Sequence, residues 1–194
     1  MKKIISLFQR NYDGDRLVRD EVVPGAEWVM AGEGAATRKF DGTCCMARDN
    51  KLYKRYDAKA GKTPPADFEP AQDPDPNTGH WPGWVPVGDG PEDRWHREAL
   101  AEYLEVCVPD GLIENGTYEL CGPRINGNPE GYSKHVLIPH GQHRLFQETG
   151  EHRTYESIRD FLLARAMEGI VWHHPDGRMV KIKRKDFVKE PKRK

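Results

Sequence analysis

Only two stretches of this chain repeat their apolar residues at helical spacing. In Glu92–Val108 they are Trp95, Ala99, Leu100, Tyr103, Leu104 and Val106, with Pro91 at the entrance. In Thr154–Met167 they are Ile158, Phe161, Leu162 and Ala166, behind a cap supplied by Thr154 with Ser157 nearby. Elsewhere the apolar residues come in short runs: Lys3–Phe8, Glu27–Met30, Thr43–Ala47, Leu52–Tyr56, Gly116–Leu120, Val136–Ile138, Arg144–Gln147, Gly169–Trp172 and Met179–Lys183. Asp49-Asn50 predicts a hairpin between two of these runs, and His174-Pro-Asp-Gly177 predicts a turn between the last two. Mostly strands with two helices among them predict an α+β fold built on antiparallel sheets. Residues 57–91 are dense in Pro, Gly and Asp, with Trp81 and Trp84 embedded, and read as one long functional or surface loop.

At 194 residues the chain is expected to be one domain, long enough to bury a core without disulfide or metal staples. No apolar run approaches the length of a membrane span, and Met1–Phe8 is too short for a secretory signal. The four cysteines (44, 45, 107 and 121) include an adjacent pair and no CxxC spacing. That argues against a zinc site or a disulfide framework and for a reducing, cytoplasmic setting. The net charge of −1 hides an asymmetry, because Arg178–Lys194 carries +7 and the rest of the chain −8.

Four short motifs bear chemistry. Lys39-Phe-Asp-Gly42 places a lysine just before a turn. Glu119 sits inside the strand Tyr118-Glu-Leu-Cys-Gly122. Glu168-Gly-Ile-Val171 puts a carboxylate where a helix gives way to an apolar strand. Lys181-Ile-Lys183 sets two lysines on one face of a strand, because side chains alternate. Each has an ordinary alternative when taken singly: a polar hairpin corner, a solvated strand carboxylate, a helix-end charge, a lysine-guarded edge strand. Their occurrence together in this order is a rare coincidence.

This order resembles motifs I, III, IV and V of the covalent nucleotidyltransferases, which comprise DNA ligases, RNA ligases and mRNA capping enzymes. Lys39-Phe-Asp-Gly-Thr-Cys-Cys45, Arg55-Tyr-Asp-Ala-Lys59, Pro82-Gly-Trp-Val-Pro86, Tyr118-Glu-Leu, Asn126-Gly-Asn-Pro129, His140-Gly141 and Glu168-Gly-Ile-Val-Trp-His173 resemble a narrower family, the compact ATP-dependent RNA ligases. That family includes a small vertebrate 5′–3′ RNA ligase and viral and bacterial relatives. The similarity runs from about Lys39 to Lys183.

The resemblance implies a nucleotidyltransferase fold of two packed antiparallel sheets with flanking helices. It also implies ATP and Mg²⁺ or Mn²⁺ as cofactors, and as substrate an RNA with 5′-phosphate and 3′-hydroxyl ends. No membrane and no protein partner are implied. Lys39 is the expected nucleophile, forming a phosphoramidate with AMP. Free lysine is almost fully protonated at neutral pH, and neighbouring cations favour the neutral amine. Lys181, Lys183 and Arg55, with a bound metal, are expected to supply that field and to hold phosphate. Asp41 and Gly42 close the turn after Lys39, and Asp41 is a candidate for a sugar hydroxyl or a metal-bound water. Glu119 and Glu168 are the expected metal and ribose carboxylates, since Mg²⁺ keeps several waters and needs only one or two such groups. Phe146 stands where the superfamily stacks an aromatic on the base, or is an ordinary core phenylalanine.

In the resembling family ATP adenylates the lysine, AMP passes to an RNA 5′-phosphate, and a 3′-hydroxyl displaces AMP. A DNA or nick ligase, or a GTP-using capping-type transferase, shares the first step. A nonenzymatic RNA-binding module fits least, because the nucleophile, both glutamates and both lysines are intact. Eleven residues follow Lys183, too few for the oligonucleotide-binding (OB) barrel of many relatives. Residues 1–194 are therefore expected to form a single nucleotidyltransferase domain, with the loop 57–91 and a basic tail 184–194. That tail either adds phosphate contacts or solubilises the terminus. The loop, with Trp81 and Trp84, covers the site or stacks on RNA ends, or else packs as a surface flap. His135, His140 and His143 lack metal-ligand spacing and read as structural, with His140 able to touch a phosphate.

Overall fold

The computed structural model describes residues 2–108, 110–145 and 153–189. In chain order its strands and helices are β1 (Ile5–Ser6), β2 (Phe8–Arg10), β3 (Val18–Val22), α1 (Glu27–Met30), β4 (Ala35–Lys39), β5 (Thr43–Arg48) and β6 (Lys51–Ala58). There follow β7 (Glu69–Pro70), β8 (Trp81–Pro86), α2 (Arg94–Cys107), β9 (Gly116–Cys121), β10 (Val136–Pro139), α3 (Tyr155–Leu163), β11 (Gly169–His173) and β12 (Met179–Lys183). They form two compact units, one of residues 1–3 with Asp41–His140, the other of Ile4–Phe40 with 141–194.

The second unit holds a four-stranded sheet in the order β1-β12-β11-β4 and a separate β2-β3 ribbon. Alternation along the strands divides most of its residues. Ala36, Ile170, Trp172, Val180 and Ile182 join Ile158 and Leu162 of α3, and Leu7 and Phe8, in one buried core. The opposite phase of the same strands carries Lys39, Lys181 and Lys183. The expected Thr154 cap at the α3 start is part of a capping box: Ser157 N–H donates to Thr154 Oγ1 at 3.1 Å, and Thr154 N–H to Ser157 Oγ at 2.9 Å. The helix ends at Leu163, short of the expected Met167.

The first unit is a six-stranded antiparallel sheet, β10-β9-β5-β6-β8-β7. Cys45, Ala47, Leu52, Tyr118, Leu120 and Leu137 pack with Ala99, Leu100, Tyr103 and Leu104 of α2. The β5–β6 turn is the predicted one, with Asp49 and Asn50 at φ of 52° and 57°. Two consecutive left-handed residues match the right-handed twist of a hairpin.

Further expectations are corrected or sharpened. Not every strand pair is antiparallel: β1 joins β12 in parallel, Ser6 opposite Lys181. The chain between them is long enough for the crossover that parallel pairing needs. Residues 57–91 are not one loop, because β7 and β8 lie within them and Trp84 is buried. Proline fits there as an edge residue: Pro70 lies in the outermost strand. Glu27–Met30 forms a short helix that buries Trp28 and Val29. Val106, placed by periodicity on the apolar face of α2, is 68% exposed. Arg144 makes only an isolated bridge to Thr37, and the rest of the expected strand Arg144–Gln147 is partly outside the described residues. No described helix is long and apolar enough to cross a membrane.

Candidate active site

Strand register explains how the four-stranded unit gathers its charged side chains. Gly169, the first residue of β11, lies opposite Lys39 of β4 on one side and Lys183 of β12 on the other. Glu168, one residue earlier, therefore reaches both. Its Oε2 accepts from Lys39 Nζ at 2.5 Å and its Oε1 from Lys183 Nζ at 2.5 Å. Lys39 Nζ also donates to the carbonyl of Phe40 at 3.3 Å. Glycine at 169 is obligatory for this approach, since a Cβ there would stand 2.1 Å from the Ile182 carbonyl oxygen. The chain end of β12 is locked as well: Lys183 N–H donates to Asp186 at 2.9 Å, and Arg10 pairs with the same buried carboxylate.

Burial pushes the Glu168 carboxyl up, but the ammonium groups of Lys39 and Lys183 outweigh it and hold it below the usual glutamate value. Lys181 lies opposite Val171, on the same face as Lys183. Burial, then the charges of Lys183 and Lys39, bring it down to about 8, with Glu168 and Asp186 opposing. Three lysines facing one glutamate leave two positive charges in excess, an arrangement suited to a phosphate group.

The depressed Lys181 has a consequence for stability. Between pH 8 and 10.5 the unfolded chain carries more protons on this residue than the folded one, so its contribution improves as pH rises through that window. Below pH 8 the whole penalty remains. Lys181→Met is thus expected to stabilise the protein at pH 7 by about 1–3 kcal/mol, and the gain should shrink towards pH 10.5. Urea midpoints of both proteins across this range check it. A variant less stable than wild type at pH 7 contradicts the account.

The six-stranded unit contains the other half of the motif set. Asp41 N–H donates to Glu130 Oε1 at 2.9 Å, and Gly42 N–H to Glu119 Oε1 at 3.1 Å. Asn126 ties the turn together, donating to Asp41 Oδ1 at 3.1 Å and to the Gly42 carbonyl at 2.8 Å. Gly42 admits no side chain: a Cβ would stand 2.3 Å from the Leu120 carbonyl oxygen. Glu119 is 7% exposed, and its Oε2 lies 2.9 Å from His140 Nε2. The other nitrogen of that ring is 2.9 Å from Thr117 Oγ1. Arg55 stacks on the Trp84 ring at 4.9 Å, and burial lowers its pKa against the opposing influence of Cys44 and Asp57.

The motif residues thus form two local groups. Lys39, Glu168, Lys181 and Lys183 share a face of one unit, and Asp41, Gly42 and Glu119 surround one turn of the other. Phe146 lies outside the described residues, as does the tail from 190 onward. Glu130, Asn126 and Thr117 carry no local sequence signal for these contacts, although Asn126 opens one of the family-like motifs. His135 is structural, stacked on Trp95 at 4.6 Å and 2.9 Å from Glu98. His143 packs edge-on against Phe40.

Both oxygens of Glu168 hold ammonium groups, so the donor set there fits a phosphate-binding charge cluster better than a resident Mg²⁺.

The model of the RNA ligase 1 family matches residues 66–191. RNA ligase 1 of Pongo abelii is 30% identical over 213 aligned residues, covering 76% of this chain and 65% of that protein. RNA ligase 1 of Rattus norvegicus is 29% identical, covering 77% of this chain and 66% of its own length. RNA ligase 1 of Danio rerio is 28% identical with the same coverage of 77% and 66%. The chain matches just under two thirds of the length of these relatives.

Proposed function

The chain belongs to the RNA ligase 1 family, and from that premise we propose that it is an ATP-dependent RNA ligase with a nucleotidyltransferase fold, joining 5′-phosphate and 3′-hydroxyl ends through a lysyl-AMP intermediate. The observation that carries this reading is the Glu168 carboxylate held between Lys39 and Lys183, with Lys181 beside them.

In the proposed first step the Lys39 ammonium gives up a proton, and Glu168 is the carboxylate already on that nitrogen. The neutral amine attacks the α-phosphorus of ATP. A nitrogen–phosphorus bond forms as the bond to pyrophosphate breaks. Lys181 and Lys183 offer positive charge to the phosphate oxygens as negative charge shifts toward the leaving group. In the second step a 5′-phosphate oxygen of RNA displaces the Lys39 amine. In the third, a 3′-hydroxyl oxygen attacks the adenylated end and AMP leaves. All three are phosphoryl-centre substitutions, so one electropositive cluster serves each. Mg²⁺ or Mn²⁺ is proposed to arrive with ATP and to neutralise its triphosphate. By motif position alone, the proposal assigns Glu119 and Asp41 to a ribose hydroxyl or a metal-bound water, and Arg55 to a phosphate.

ATP is expected to be preferred over GTP, and RNA over DNA. Equal-length RNA and DNA substrates bearing 5′-phosphates, competed in one reaction, should give predominantly sealed RNA. Faster sealing of an all-DNA nick would move the assignment to a DNA ligase. Lysine adenylation by GTP alone would move it to a capping-type transferase.

A further inference from the structure

Cys44, Glu119 and His140 come from three different places in the six-stranded unit and converge on one side of its sheet. Cys44 of β5 lies directly opposite Glu119 of β9. His140 follows β10 and is tied to β9 by its backbone N–H, which donates to the Thr117 carbonyl at 3.0 Å. One thiol sulfur, one carboxylate oxygen and one imidazole nitrogen thereby lie within 4.8 Å of one another.

We propose that Cys44, Glu119 and His140 form a three-ligand site for Zn²⁺. A tetrahedral zinc with sulfur at about 2.3 Å and nitrogen and oxygen at about 2.0–2.1 Å needs ligand atoms about 3.3–3.7 Å apart. The Glu119 Oε2 to His140 Nε2 separation of 2.9 Å must open slightly, and the sulfur must come within that range by side-chain rotation. The surrounding groups are those a metal site requires. With Nε2 turned to the metal, Nδ1–H donates to Thr117 Oγ1 at 2.9 Å, which sets the ring's tautomer and orientation. The second Glu119 oxygen is held by Gly42 N–H at 3.1 Å, leaving Oε2 for the ion. Thiolate and imidazole together select Zn²⁺ over Mg²⁺ or Mn²⁺, which prefer all-oxygen sets. On binding, the Cys44 S–H bond gives its proton to solvent and a sulfur–zinc bond replaces it. Three protein donors leave a fourth position for water or an anionic oxygen. Zn²⁺ there occupies Glu119 Oε2, the oxygen that Gly42 does not hold. Inhibition of ligation by Zn²⁺ follows from this if the ligase reading is right, whereas the site itself does not depend on that reading.

Co²⁺ is the spectroscopic probe. The full chain should bind one Co²⁺ with a sulfur-to-metal charge-transfer band that Zn²⁺ abolishes. The band should be lost in Cys44→Ser and His140→Gln and retained in Cys107→Ser, whose sulfur is exposed. In the unmutated protein, Zn²⁺ should also shield Cys44, but not Cys107, from alkylation read by peptide mass. This arm does not depend on a variant folding. No charge-transfer band, a band that persists in Cys44→Ser, or Cys44 alkylation indifferent to Zn²⁺ would overturn the site. Separately, Zn²⁺ should inhibit adenylation of the wild-type chain at least tenfold more strongly than that of Cys44→Ser. Equal adenylation with and without bound Zn²⁺ would overturn the inhibition and leave the site standing. Failure of the chain to adenylate at all would count against the ligase reading alone.

Discussion

Incubated with ATP and Mg²⁺, the wild-type chain should gain one AMP, and Lys39→Ala should gain none. The expectation rests on which nitrogen is positioned. Lys39 Nζ is held at two points, by Glu168 Oε2 at 2.5 Å and by the Phe40 carbonyl at 3.3 Å. It is followed at once by the Asp41-Gly42 turn, whose amides are fixed by Glu130 and Glu119. Lys181 is the informative competitor, because burial and the charges of Lys183 and Lys39 bring its pKa down to about 8. If nucleophilicity alone chose the site, Lys181 would carry the adduct. If position chooses, Lys39 does, since effective molarity from good alignment reaches about 10⁵–10⁸ M. Intact mass measures uptake, and peptide mapping locates it. Adduct formation undiminished in Lys39→Ala would end the lysyl-AMP reading at this residue.

Glu168→Ala should lose activity in more than one step. Adenylation should fall by about 10²–10³-fold, the cost of removing one group that organises transition-state charge. Sealing of RNA supplied already adenylated at its 5′ end should fall as well, because the same lysines meet phosphate in that step. Glu168 separates the charges of Lys39 and Lys183, and its side chain is only 10% exposed. Removing it leaves like charges facing each other, which costs about 3–5 kcal/mol for a buried pair. Glu168→Gln keeps the shape and two polar atoms and should melt closer to wild type, yet it cannot accept the Lys39 proton. Inorganic phosphate should restore part of the stability of Glu168→Ala by replacing the lost negative charge. Acid should mimic the mutation. The lowered Glu168 pKa stabilises the fold above the ordinary glutamate value, and that contribution disappears as pH falls through the folded-state value. If Glu168→Gln melts within a few degrees of wild type and seals pre-adenylated RNA at the wild-type rate, the shared-cluster mechanism is wrong, and Glu168 serves ATP binding only.

Local chemistry was readable in the sequence. Alternation alone put Lys181 and Lys183 on one strand face, as the register shows. Asp49-Asn50 made its hairpin turn because both residues tolerate the left-handed backbone that a two-residue turn demands. Thr154 and Ser157 made their capping box because three residues of helix bring each side chain to the other's amide. The longer motifs, from Lys39-Phe-Asp-Gly-Thr-Cys-Cys45 to Glu168-Gly-Ile-Val-Trp-His173, were enough to point to the RNA ligases, the family that the chain belongs to.

Interactions between residues distant in the chain were decided only by the tertiary structure. Lys39 and Glu168 meet because β4 and Lys183's strand flank β11, a pairing across 129 positions that leaves no local pattern. The parallel joining of β1 to β12 left no trace for the same reason. Trp81–Pro86 looked like loop because proline and glycine lower strand propensity. Pairing with β6 on one side and β7 on the other overrode that preference. Val106 has the right helical phase, but phase gives a direction and not the extent of the surface that covers it. Cys44, Glu119 and His140 are dispersed over almost a hundred residues, without the close spacing that marks metal motifs. Sheet register brings their donor atoms together, and register is set by the whole hydrophobic face of the sheet, not by the three residues that depend on it.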